Sequence, residues 1–143
     1  MSNLVQDIKW DVSYEIGDET VDAQHRRLFE ILGELIESCE AGREPQRVQD
    51  TLSFLVNYAV KHFNDEEALQ QKYGYPHYNE HKQIHENFKN TVGGLVQRFC
   101  ESQSVEKLRN DVEKILVKWI LNHIQRDDRK IGEYIKSSAA KGL

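Results

Sequence analysis

Residues 45–73, PQRVQDTLSFLVNYAVKHFNDEEALQQKY, decide the fold. Val48, Leu52, Leu55, Ala59, Leu69 and Tyr73 recur there at spacings of three and four or their sums. That spacing keeps a stripe on one face of an α-helix. Two polar residues fall on the same stripe, His62 and Glu66. An ionised carboxylate in a core is costly unless it is paired or bound to a metal, so this interruption carries chemical information. Pro45 suits the first turn of the helix, and Gly74 with Pro76 breaks the chain after it.

The same pattern recurs on both sides. A helix over 20–41 carries Val21, His25, Leu28, Leu32, Leu35 and Cys39 on one face and meets Gly42. A helix over 76–101 carries Tyr78, His81, His85, Phe88, Val92, Leu95 and Phe99. A helix over 105–134 carries Val105, Leu108, Val112, Ile115, Trp119 and His123. Connections of a few residues make neighbouring helices antiparallel. The pattern predicts an all-α, up-down-up-down four-helix bundle forming one domain over 1–143. Residues 1–19 form an N-terminal arm, and the small, polar tail 137–143 is expected to fray.

Composition excludes several classes. The 143 residues suit one core, with 38% hydrophobic and 30% charged residues. A net charge of −5 without a basic cluster argues against nucleic-acid binding. No apolar run approaches the ~20 residues of a membrane span, and no hydrophobic signal segment opens the chain. A cytoplasmic location is the resulting expectation. Cys39 and Cys100 do not make a disulfide framework.

Five histidines and one glutamate therefore sit on stripes that face the core: His25, His62, Glu66, His81, His85 and His123. A lone core histidine is usually just hydrogen-bonded. Five of them on four helices are another matter. In an antiparallel bundle with ~1.5 Å rise per residue, all lie roughly 7 to 17 Å from one end. They can meet in a single layer. His62 and Glu66 are four apart, as are His81 and His85, so each pair shares a helix face. So many donors exceed a four-ligand zinc site. Calcium and magnesium prefer oxygen, whereas imidazole with carboxylate suits iron. The count fits two irons bridged by carboxylates. A second carboxylate on the last helix is ambiguous. Asp127 is four residues after His123 at ideal pitch, whereas Asp128 is rotated by about 140° unless the helix is locally widened.

Taken together, Val21-Asp22-Ala23-Gln24-His25, His62-Phe63-Asn64-Asp65-Glu66-Glu67, Tyr75-Pro76 followed by His81 and His85, and Trp119 to Ile124 followed by Asp128 resemble the bacterial hemerythrins. Trp10, Tyr14 and Gly17 are similar to that family's arm. The resemblance covers nearly the whole chain and points to Asp128 rather than Asp127. It implies one iron on His81, His85 and His123, and another on His25 and His62 with an open position. Glu66 and Asp128 would bridge the two irons, with an oxo or hydroxo group from solvent. It implies reversible dioxygen binding, for transport, storage or delivery, rather than enzymatic turnover. Leu28, Phe63, Trp119, Ile120 and Ile124 would line the gas pocket. Gln70 is a departure, since the family often has a methionine shortly after its glutamate.

The remaining polar residues carry blander expectations. His77 is an exposed first-turn histidine. Asp65, Glu67 and Asp127 belong to a solvated acidic end of the bundle. Both cysteines lie at the far end, out of reach of the cluster. Competing functions are a di-iron oxidase, peroxidase or nitric-oxide-handling enzyme, a sensor working through a separate protein partner, and a bundle that holds no metal.

Overall fold

The structure, a computed structural model, describes residues 9–140. It is a four-helix bundle without strands among those residues. Helix α1 is Glu19–Glu40, α2 is Pro45–Lys72 and α3 is Tyr78–Ser102. Helix α4 runs through five successive segments, Val105–Asp111, Val112–Val117, Lys118–Asn122, His123–Asp128 and Arg129–Ala140. The second and fourth of these are wound as π-helix. A short 3₁₀ turn, Val12–Tyr14, lies in the arm. The first eight residues of the predicted arm, and 141–143 of the tail, lie outside the described residues. No described helix is long and apolar enough to cross a membrane.

Local chemistry sets the helix ends. The Asp18 carboxylate accepts from Val21 N at 3.0 Å, and Ser104 Oγ from Lys107 N at 3.2 Å. Both satisfy amides that a helix start leaves bare. Gly42 and Gly74 follow α1 and α2 with φ of +67° and +63°, a conformation that costs a side chain dearly. Pro76, expected inside the third helix, lies in the turn before it, and α3 opens only at Tyr78. α4 continues to Ala140, beyond the expected end at 134; within it Ile131 is fully buried and the Tyr134 hydroxyl donates to Gly74 O at 3.3 Å.

Contacts at opposite ends establish the antiparallel order. Arg109 meets Glu40 while Asp128 meets His25; Gln49 meets Cys100 while Glu66 meets His81. The half away from the histidines is apolar and closely filled, with Ile31, Leu32, Leu35, Ile36 and Leu52 fully buried.

 Leu95, Leu108 and Leu116 complete this fully buried set. Each such side chain contributes about 1.5–3 kcal/mol by leaving water.

The buried face departs from the sequence pattern in two places. In α2, Glu67 and Gln70 are buried, while Leu69 is only half-buried and Tyr73 is exposed. In α4, Leu116, Val117 and Ile120 are buried, and Ile115 and Trp119 are half-buried. The π winding over Val112–Val117 explains the second shift, because a wider turn rotates the residues that follow it.

The arm is fastened over the histidine end. The buried Asp22 carboxylate accepts from Ile16 N at 2.8 Å and Gly17 N at 3.2 Å. Arg129 donates to Ser13 O. Trp10 packs on Phe29 with ring centroids 5.3 Å apart and lies 6.5 Å from the His25 ring. Gly132 makes the closest approach, since a Cβ there would sit 2.0 Å from Ile16 O. A Gly132→Ala variant is therefore expected to lose about 1–3 kcal/mol in urea unfolding, as overpacked sites do. Unchanged stability would show that the arm is not seated on α4.

Candidate metal centre

All seven side chains singled out in the sequence meet in one buried layer. Their donor atoms fall into two groups, each within 4.8 Å of one another: Glu66, His81, His85, His123 and Asp128, and His25, His62, Glu66 and Asp128. The two carboxylates belong to both. Glu66 Oε1 lies 2.8 Å from His81 Nε2 and 3.2 Å from His85 Nε2, and its Oε2 lies 3.3 Å from His62 Nε2. Asp128 Oδ1 lies 3.0 Å from both His81 Nε2 and His123 Nε2, and its Oδ2 lies 2.9 Å from His25 Nε2. Each carboxylate thus turns one oxygen toward each group.

Asp128 reaches the layer because α4 is π-wound over His123–Asp128. The extra residue in that turn brings a position five beyond His123 onto the inward face. Asp127 is not displaced. Its Oδ2 accepts from His123 Nδ1 at 2.9 Å. The one wide turn therefore lets both aspartates serve the same histidine, one at each ring nitrogen.

The expectation of a solvated acidic end is corrected here for Glu67 and Asp127, both of which are buried. Glu67 Oε2 accepts from His85 Nδ1 at 2.8 Å. Asp65 is exposed but engaged, accepting from Gln24 Nε2 at 2.7 Å and from Lys61 Nζ at 2.9 Å. With its amide nitrogen held in this way, Gln24 turns Oε1 to His62 Nδ1, 2.7 Å away. His62 must then carry its proton on Nδ1 and keep Nε2 free for the cluster. Gln24 stood in the quoted sequence segments, but its role was not read from them. His77 is exposed, as expected, and pairs with Glu80.

Rings fix the imidazole planes. Phe63 stacks on His85 with centroids 4.0 Å apart, and Trp119 on His123 at 4.3 Å. Leu28, Phe63, Trp119, Ile120 and Ile124, the predicted pocket residues, line a cavity of about 20 Å³ beside His25 and His62, together with Ala59 and Phe88. That is room for a molecule the size of water or a diatomic gas. Cys39 is buried, Cys100 is exposed and both thiols are free.

The donor set fits metal ions. His25 Nε2, His62 Nε2, Glu66 Oε2 and both Asp128 oxygens are buried and close to one another, yet none is aligned in a hydrogen bond. Donor atoms held ~2.1 Å from a shared ion at right angles stand about 3 Å apart without pointing at one another. His85 and His123 carry the same message. Each donates Nδ1–H to a carboxylate, so in the neutral rings the facing Nε2 atoms, 3.2 Å apart, are two lone pairs. Lone pairs so close need a cation between or beside them.

Without metal, protons are the available cations. Burial works against charge on His25 and His81, but the adjoining carboxylates of Asp128 and Glu66 raise both to about 9. His123 rises to about 10 against the same penalty, through the Asp128 charge and the Asp127 hydrogen bond. Burial pushes His62 down. Glu66 and Asp128 resist the upward push of burial and stay below the usual carboxylate range because imidazoles surround them. A raised imidazole contributes stability that is complete below its ordinary value near 6.5 and is lost as pH climbs through 9 to 10. The metal-stripped protein is therefore expected to unfold at lower urea at pH 10 than at pH 7. The metal-loaded protein, whose imidazoles carry ions instead of protons, should show a much smaller loss. Equal losses in both forms would contradict this.

Fold and site together define a helical bundle with a buried histidine–carboxylate centre for metal. The family model for the hemerythrin HHE cation binding domain matches residues 16–135, and the chain belongs to that family. It is similar to a bacteriohemerythrin of Stenotrophomonas maltophilia, 31% identical over 90% of this chain and 81% of that protein. It is similar to a bacteriohemerythrin of Pseudomonas aeruginosa, 30% identical over 99% of this chain and 87% of that protein. A myohemerythrin of Theromyzon tessulatum is 29% identical over 85% of this chain and 88% of that protein.

Proposed function

We propose that this protein binds dioxygen reversibly at two irons held by His25, His62, Glu66, His81, His85, His123 and Asp128. The observation that carries the reading is the division of Glu66 and Asp128 between two donor groups, one oxygen to each. A pair of adjacent ions bridged by two carboxylates asks for that arrangement. Family membership and likeness to proteins named bacteriohemerythrin and myohemerythrin support iron and dioxygen as the occupants. Ferrous ions held by these residues would supply the electrons for reversible gas binding.

The chain's own residues supply the rest. His81, His85 and His123 crowd one side, while only His25 and His62 serve the other, which leaves that side with fewer donors. The cavity opens beside His25 and His62 and is walled by Leu28, Ala59, Phe63, Phe88, Ile120 and Ile124. Such walls exclude water and admit an apolar gas. Among the described residues, the cavity is lined by no acid or base other than the cluster's His25, His62, His123 and Asp128. A pocket without a further proton donor favours a carrier over an oxidase or peroxidase.

The test is spectroscopic. The reduced, iron-loaded protein is exposed to air and then evacuated. Repeated recovery of the reduced spectrum is expected. Net consumption of dioxygen at each cycle would point to catalysis, and absence of any spectral change to neither function.

A further inference from the structure

Gln70 is fully buried, and neither Nε2 nor Oε1 of its side chain has a hydrogen-bond partner. Leaving a buried amide unsatisfied is costly, and an apolar residue of similar size would avoid the cost. The other buried side-chain atoms without partners belong to His25, His62, Glu66 and Asp128, all donors of the centre. Gln70 follows Glu66 by four residues, one turn on along the same face of α2. Helical side chains lean toward the N-terminus of their helix, which is the side of Gln70 on which Glu66 lies. Its backbone is fixed at the helix end, where Gln70 O accepts from Tyr75 N at 2.9 Å.

We propose that Gln70 is a positioning residue of the centre, its amide turning in the metal-loaded protein so that Nε2–H donates to a carboxylate oxygen of Glu66 or Asp128. The inference rests on the reading that these carboxylates hold metal. A carboxylate oxygen that gives one lone pair to an ion keeps another for a hydrogen bond. The donor steadies the carboxylate and draws negative charge away from the ions. That favours the ferrous pair, which needs less anionic compensation than the ferric pair.

The test compares the iron-loaded protein with its Gln70→Leu and Gln70→Met variants, two apolar side chains that differ in shape and flexibility. Iron loss to a chelator is expected to be about ten-fold faster in both, the scale on which supporting hydrogen bonds act on metal sites. At an ambient potential that poises the parent protein half reduced, the reduced-to-oxidised ratio should fall about five-fold in both variants, a modest share of the effect of a hydrogen bond to a charged group. Neither readout requires dioxygen, so a failure of gas binding is distinguishable from a failure here. Variants that gain resistance to urea while iron loss and reduced fraction stay unchanged would overturn the proposal, leaving Gln70 a packing defect. A parent protein that holds no iron would overturn it together with the reading on which it rests.

Discussion

Asp128→Ala is expected to empty the centre of both metals. Asp128 offers an oxygen to each donor group, and its side chain is fully buried, within 3.0 Å of three imidazoles. Its removal takes a donor from both ions at once. It also leaves positive imidazoles facing a single carboxylate, and breaking a buried pair costs about 3–5 kcal/mol. Metal content after gel filtration should fall from two irons per chain to near none. Asp127→Ala is the informative control, since Asp127 meets the centre through the outer nitrogen of His123 and belongs to neither donor group. Loss of such a support weakens metal binding by about 10–100-fold and spares the ligand set. Asp127→Ala should therefore retain iron at saturating supply, where Asp128→Ala does not. The reverse ranking would place the wrong aspartate in the layer and contradict the π winding of α4.

Ala59→Val is expected to abolish gas binding while both irons stay in place. Ala59 lines the cavity of about 20 Å³ beside His25 and His62. That is room for about one water-sized molecule, and the two added methyl groups would occupy it. Ala59 is not one of the donors, so the change leaves the ligand set intact. Overpacking costs about 1–3 kcal/mol, which the filled apolar half of the bundle can absorb. The check is iron content together with the air-and-vacuum cycle. Retained iron with at least about a ten-fold loss of affinity, or ~1.4 kcal/mol, is the expected result. Iron retained with unaltered gas binding would move the gas site out of this cavity.

Much of this arrangement was legible in the sequence because the helical stripes and the level of the polar residues along them agreed. The stripes of three and four set the helices, and the antiparallel order they implied brought His25, His62, Glu66, His81, His85 and His123 to one level. What escaped has physical causes. An ideal helix cannot carry both His123 and Asp128 inward, and the π winding that permits it leaves no mark in the apolar spacing of residues 123–128. Only the family resemblance pointed to Asp128. The same winding over Val112–Val117 moved burial from Ile115 and Trp119 toward Leu116 and Ile120.

The supports of the imidazoles were missed for a different reason. Glu67 and Asp127 sit near one end of the bundle, where charged residues are usually solvated. A signal was nonetheless present. An imidazole that gives one nitrogen to a metal has a second N–H to satisfy, so buried histidines demand buried acceptors. Glu67, Asp127 and Gln24 meet that demand for His85, His123 and His62. Glu67 and Gln70 also displaced Leu69 and Tyr73 from the buried face of α2. There the needs of the centre overrode hydrophobic patterning.

The central claim is that one layer of seven side chains holds two irons. An anaerobic titration of the metal-stripped protein with ferrous iron tests it most directly. Saturation at two equivalents per chain is the expected result. Saturation at one equivalent, or no tight binding at all, would contradict it.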